Sequence, residues 1–245
     1  MKENFIAVLD HGFVKIHNIA GPTRRAQNLD EFDADDTDPA NTARMSYGEM
    51  NGDRTREEDL KLAEYLMKHL HTGPFEQIEI WVEMKLPIFV ARQWVRHRTA
   101  SLNEVSGRYV QLPPEWYIPF PDDVGIKSES NKQGRNVHYD MSLSDLEVAK
   151  EYCARLDNKC GESYKEYTYA LNAGIPTELA RLFLHLNHYT HWMWKQDLHN
   201  MMHLLSLRED SHAQFEIRVY ASAIARALHK QLPHSMELYD KYRKL

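Results

Sequence analysis

The sequence predicts an α+β protein in which long helices pack on a mainly antiparallel sheet. Residues 77–86, QIEIWVEMKL, alternate Ile78, Ile80, Val82, Met84 and Leu86 with Gln77, Glu79, Trp81, Glu83 and Lys85, the period of a half-buried strand. Residues 55–70 follow a different period: Leu60, Ala63, Leu66, Met67 and Leu70 recur every three or four residues, as on an amphipathic helix. Strands and helices do not alternate strictly. No GxGxxG follows a strand and no GxxxxGK[ST] occurs, so a Rossmann or P-loop arrangement has no support.

Taken in order, FIAVLD and FVKIHNI flank His11 and Gly12 and read as a β-hairpin. Residues 28–42, NLDEFDADDTDPANT, are acidic and rich in turn formers, which predicts a loop. Thr55 and Glu58 have capping-box spacing and open the 55–70 helix. Pro87 ends the 77–86 strand and suits the first turn of a short helix, IFVARQWVRH, with 99–108 as loop beyond it. Residues 112–141 read as an irregular insertion. Ser144 and Glu147 repeat the capping-box spacing and start a long helix that Gly174 and Pro176 end. Pro176 opens a helix carrying Arg181, and HYTHWMWKQ is a strand. Asp197 caps a helix running through His199, His203 and Leu207, and Ser211 with Gln214 caps a last helix, SHAQFEIRVYASAIARALH.

With 245 residues, 42% of them hydrophobic, the chain is long enough to bury a substantial core and is expected to form a single domain over 1–245. Its formal net charge of -6 gives no global attraction for nucleic acid or an anionic membrane, so any anion site has to be built locally. No signal peptide or membrane span is evident, and a cytoplasmic protein is expected. Cys153 and Cys160 lie seven apart in a helical pattern, about 10 Å between Cα atoms and beyond disulfide reach, so both read as packing residues.

Local positive charge is concentrated in RHRTASLNEVSGRY, residues 96–109. Arg92, Arg96, Arg98 and Arg108 supply guanidinium forks suited to phosphate and to planar carboxyl or imide edges. Ser106 and Gly107 add a hydroxyl and approachable backbone N–H groups. Arg181 and Arg208 sit in apolar surroundings, ELARLFLHL and LLSLRED, and need either a cleft or partners such as Glu178, Glu209 or Asp210. His199 and His203, four apart on a helix, could form a metal pair or contact an organic ligand. These residues leave open a non-redox nucleotide-binding protein and, on the histidine pair alone, a metal-dependent hydrolase.

RHRTASLNEVSGRY also carries Arg-His-Arg, seven residues and then serine, and so resembles the signature of flavin-dependent thymidylate synthases. The resemblance extends to HTGPFEQ at 71–77, to PIFVARQW, and from ELARLFLHLN to NMMHLLSLREDSHAQFEIR within 178–218. It implies reductive methylation of dUMP to dTMP, with methylenetetrahydrofolate as carbon donor and NADPH-reduced FAD as hydride source. It also implies a homotetramer with active sites shared between chains, and no metal. Gln93, Arg96, Glu104, Ser106, Gly107, Arg108, Arg181 and Arg208 would bind dUMP. Of these, Arg208 would stabilise the uracil anion and Ser106 would position substrate. His71, Arg96, His97, Arg98, Glu104, Asp197, His199 and His203 would contact FAD. Gln77 replaces a histidine of many relatives, and Asp197 to His199 replaces an Asn-x-Arg seen in some.

Overall fold

The structure, a computed structural model, describes residues 5–22, 34–48, 54–127, 134–136 and 141–244. Strands β1 (Phe5–Val8) and β2 (Gly12–Ala20) form the predicted hairpin. Residues 28–33 of the predicted acidic loop lie outside the described residues, whereas Asp38–Arg44 form helix α1 rather than loop. Pro39 occupies the first turn, where its missing N–H costs nothing, and Asp38 meets the positive end of the helix. Helix α2 (Arg56–Lys68) opens on the expected box: Glu58 N–H donates to Thr55 Oγ1 (3.3 Å) and Thr55 N–H to Glu58 Oε2 (2.9 Å).

Strand β3 (Glu79–Pro87) turns directly into α3 (Ile88–Trp94), which stops at Trp94, earlier than the sequence suggests. Within the predicted loop at 99–108, Ser101–Glu104 form strand β4. The 112–141 segment holds a one-turn helix α4 (Pro121–Val124) and a two-residue ribbon of β5 (Ile126–Lys127) and β6 (Arg135–Asn136); residues 128–133 and 137–140 are outside the described residues. Helix α5 (Leu143–Asn172) is capped by Ser142 rather than Ser144, with Asp145 N–H donating to Ser142 Oγ (3.2 Å). Helix α6 (Thr177–Ala180) gives way to a 3-10 turn that begins at Arg181.

Strand β7 (Tyr189–Asp197) runs into α7 (Leu198–Arg208), where Asn200 N–H donates to the capping Asp197 Oδ1 (2.8 Å) as expected. Helix α8 (Phe215–Gln231) begins after Gln214, and Ser211 does not cap it. Helix α9 (Pro233–Tyr242) had no sequence signal except a proline in its first turn. Its N-terminal His234 and Ser235 N–H groups donate to Asp36, 198 and 199 residues away (3.0 and 2.8 Å).

The main sheet has the order β1-β2-β3-β7-β4 with every neighbour antiparallel, so the predicted class is correct. One face buries Val14, Ile16, Ile80, Val82, Met84, Trp192 and Trp194 against α7, α8 and α9, which contribute Met201, Leu205, Ile217, Tyr220, Ile224 and Met236. The opposite face carries polar pairs such as Lys195 with Glu79 (2.9 Å) and His191 with Glu83 (2.7 Å). Both cysteines are buried and unpaired, and burial raises their thiol pKa values. Among the described residues no helix is long and apolar enough to cross a membrane.

Candidate active site

Because α3 follows β3 and α7 follows β7, two adjacent central strands deliver both helices to one side of the sheet. Gln93 near the end of α3, His97 just beyond it and Arg208 at the end of α7 meet there. Arg208 Nε donates to His97 Nε2 (2.9 Å), and Arg208 Nη2 donates to the Gln93 carbonyl (3.3 Å). A guanidinium gives protons and cannot accept them, so His97 presents a bare Nε2 and is neutral. Its pKa is lowered to about 4, first by burial, then by the charges of Arg208 and His203. Burial also pulls Arg208 below its usual value. Of the partners the sequence offered, Glu209 is engaged elsewhere: it accepts from Ser222 Oγ and Tyr239 OH (both 3.1 Å).

A second cluster forms where the chain leaves β4. Arg108 N–H donates to Ser106 Oγ (3.3 Å), Arg108 Nε lies 3.4 Å from Glu178, and Thr177 Oγ1 donates to the Arg108 carbonyl. Arg181 Nε donates to the Glu178 carbonyl (3.3 Å), so Glu178 organises both arginines. Gly107 is buried under them. A Cβ at that position would stand 3.1 Å from Leu112 Cδ1, so Leu112 would have to give way, and 3.4 Å from Arg181 Cδ, in ordinary van der Waals contact. Glu104, in exposed β4, accepts from Thr190 Oγ1. Among the described residues no hydrogen bond or ion pair joins this cluster to the one around Arg208.

Arg92, Arg96 and Arg98 are exposed and, among the described residues, their side chains make no hydrogen bond or ion pair. Three uncommitted guanidinium groups beside a half-buried fourth make a site for anionic oxygens. His199 and His203 lie on α7, and His203 is close enough to affect His97. The His199 pKa is lowered chiefly by burial. Asp197 is occupied by Asn200, through both its N–H and its side-chain amide (2.8 Å each). Exposed His71 lies edge-on to Tyr65, 6.0 Å away. No group of three or more His, Cys, Asp or Glu residues among those described is placed to hold a metal ion.

Sequence reasoning did not find the residues behind Gln93. Gln93 Nε2 donates to Gln214 Oε1 (2.5 Å), and Gln214 Nε2 donates to Glu216 Oε2 (2.9 Å). Glu216 also binds Arg135 from the 112–141 insertion. The only sequence signal was an acid, Glu216, in the first turn of an apolar helix. Gln214 and Glu216 line a cleft of about 690 Å3 with Phe89, Tyr117, Arg135 and Leu184.

The pKa shifts set a pH prediction. The folded chain holds His97 and the buried His188 at about 4, against 6.5 ordinarily. Between about pH 6.5 and 4 the unfolded chain therefore binds protons that the folded chain excludes, and these two groups remove stability as pH falls through that window. Above it their contribution is constant. NMR titration of the His97 ring should turn near pH 4; a midpoint near 6.5 would contradict both the burial of His97 and its contact with Arg208.

Fold and site together define an α+β protein with an arginine- and histidine-lined site suited to anionic oxygens, built without a phosphate-binding loop. The family model described as thymidylate synthase complementing protein, Thy1, matches residues 29–234. The chain is 43% identical over 239 residues to a flavin-dependent thymidylate synthase of Gluconobacter oxydans (strain 621H), covering 96% of this chain and 72% of that protein. It is 40% identical over 250 residues to the one from Rickettsia bellii (strain RML369-C), covering 97% and 79%. A crystal structure of the UMP/dUMP methylase PolB from Streptomyces cacaoi, bound with 5-Br dUMP, superposes with a TM-score of 0.77 at 25% identity, covering 97% of this chain and 98% of that one. The chain belongs to the flavin-dependent thymidylate synthase family and is an enzyme.

Proposed function

We infer that the protein is a methyltransferase that converts dUMP to dTMP in the cytoplasm, with methylenetetrahydrofolate as carbon donor and NADPH-reduced FAD as hydride source. The observation that carries this reading is the Arg208–His97 contact beside the uncommitted arginines of the RHR segment. Gln93, Arg96, Glu104, Ser106, Gly107, Arg108, Arg181 and Arg208 bind dUMP. Arginines suit its phosphate dianion, and Arg208 takes the uracil edge and stabilises the anion at N3. Ser106 positions substrate. Its hydroxyl accepts from the Arg108 N–H and has no base beside it among the described residues, so it is not set up as a nucleophile. Neither buried cysteine is a ready thiolate, which also favours a route without a covalent cysteine adduct.

The donor set suits FAD: cationic Arg96 and Arg98 for its pyrophosphate, with His71, His97, Glu104, Asp197, His199 and His203 as further contacts. When bound, the flavin supplies hydride; the chain supplies binding, orientation and electrostatics. Two clusters that no contact joins among the described residues, with exposed Tyr109 and Leu182 adjoining Arg108 and Arg181 of the second, support a homotetramer in which one chain completes the site of another. Tritium release from C5-labelled dUMP, with methylenetetrahydrofolate and NADPH, tests the reaction. Release that depends on added FAD is expected; a folded protein giving none would overturn the reading.

A further inference from the structure

We propose that Glu216 is a positioning residue for the nucleotide site, setting the direction of the Gln214 and Gln93 amides so that Gln93 turns its carbonyl oxygen toward dUMP. This rests on the reading of Gln93 as a dUMP contact. Glu216 is 2% exposed and receives Arg135 Nη2 (2.6 Å) and Nη1 (3.3 Å), Tyr117 OH (3.1 Å) and Gln214 Nε2 (2.9 Å). Every partner around it is a donor, as a buried carboxylate requires. Facing an acceptor with no proton to give, Gln214 has to point its NH2 group at Glu216 and its Oε1 outward. Gln93 then has to point its own NH2 at that oxygen, because the flipped amide would set oxygen against oxygen.

The direction of each link follows from the one before it. The result is a Gln93 Oε1 that accepts no hydrogen bond among the described residues, on a residue whose backbone carbonyl is held by Arg208. At neutral pH the phosphate of dUMP is an acceptor, and its only donors are the N3–H and the 3′-hydroxyl. An acceptor held beside Arg208 therefore complements one of them, while Arg208 supplies donors to the acceptors. The relay also explains what the 112–141 insertion contributes, since it delivers Arg135, which also donates from Nε to the Asp123 carbonyl (3.1 Å), to Glu216.

The test is calorimetric titration of the FAD-loaded protein with dUMP, comparing wild type, Glu216→Gln, Gln93→Ala and the double variant. Glu216→Gln keeps the shape but lets position 216 either donate or accept, so both amides lose their fixed direction. It should weaken dUMP binding about tenfold, the scale of a misdirected hydrogen bond near a charge. FAD content should not change, and the double variant should be no weaker than Gln93→Ala alone. Unchanged affinity in Glu216→Gln, or losses that simply add, would overturn the relay. Gln214→Ala, at an exposed position, breaks the same link without touching the buried pair; it should match Glu216→Gln and decides the question if that variant does not fold. Full dUMP affinity in Gln93→Ala would remove both the Gln93 assignment and the relay. Absence of dUMP binding by the wild type would instead overturn the proposed function.

Discussion

Arg208→Ala is expected to lower kcat by about 100-fold to 1,000-fold, the usual cost of removing a preorganised donor aimed at developing negative charge. Bound FAD should remain. The position suits this role, since the C-terminal turn of α7 favours a cation and partial burial strengthens its field. Of the five guanidinium N–H groups, one goes to His97 and one to the Gln93 carbonyl, so three stay free for a ligand among the described contacts. Lysine has one compact charge and no fork, so Arg208→Lys should recover some dUMP binding but little of the rate. A second readout separates this role from simple damage to the fold. Arg208 helps to hold His97 at about 4, so the His97 pKa should rise in Arg208→Ala. Full turnover in a folded Arg208→Ala protein would defeat the assignment.

The central strands were legible because burying only one face forces a period of two, and Ile78 to Leu86 display it without interruption. Strand β4 was not, because all four of its residues are exposed and only pairing with β7 makes SLNE a strand. Helix α1 was hidden by acidic, turn-forming residues that also suit a helix start. In the site, arginines and histidines could be named from a contiguous motif, but their grouping could not. Arg208 meets His97 across 111 residues, a contact made by β3 and β7 lying side by side. Arg135 was invisible for the same reason: nothing near it in sequence shows that Glu216, 81 residues on, is its partner.

Trp94→Ala should cost more stability than any other substitution at the site, about 3–5 kcal/mol, the range for emptying a buried aromatic position. Trp94 is 0% exposed, at the end of the helix that carries Gln93, and meets Trp194 edge-on with ring centroids 6.4 Å apart. Trp194 Nε1 donates to Gln196 Oε1 (3.2 Å), and Gln196 Nε2 donates to Thr99 Oγ1 (3.3 Å), inside the RHRTAS segment. The same packing thus anchors the motif on both sides, and the cavity should loosen Gln93 and His97 together. Phenylalanine distinguishes volume from polarity. The Trp94 Nε1 group is buried and, among the described residues, has no hydrogen-bond partner, so Trp94→Phe removes an uncompensated donor while keeping most of the ring. It should therefore cost less than half as much as alanine and retain dUMP binding. Urea denaturation at one fixed protein concentration, followed by dUMP titration under native conditions, measures both effects. Equal losses in the two variants would mean that a phenyl ring cannot replace the full indole and would overturn this account of the packing.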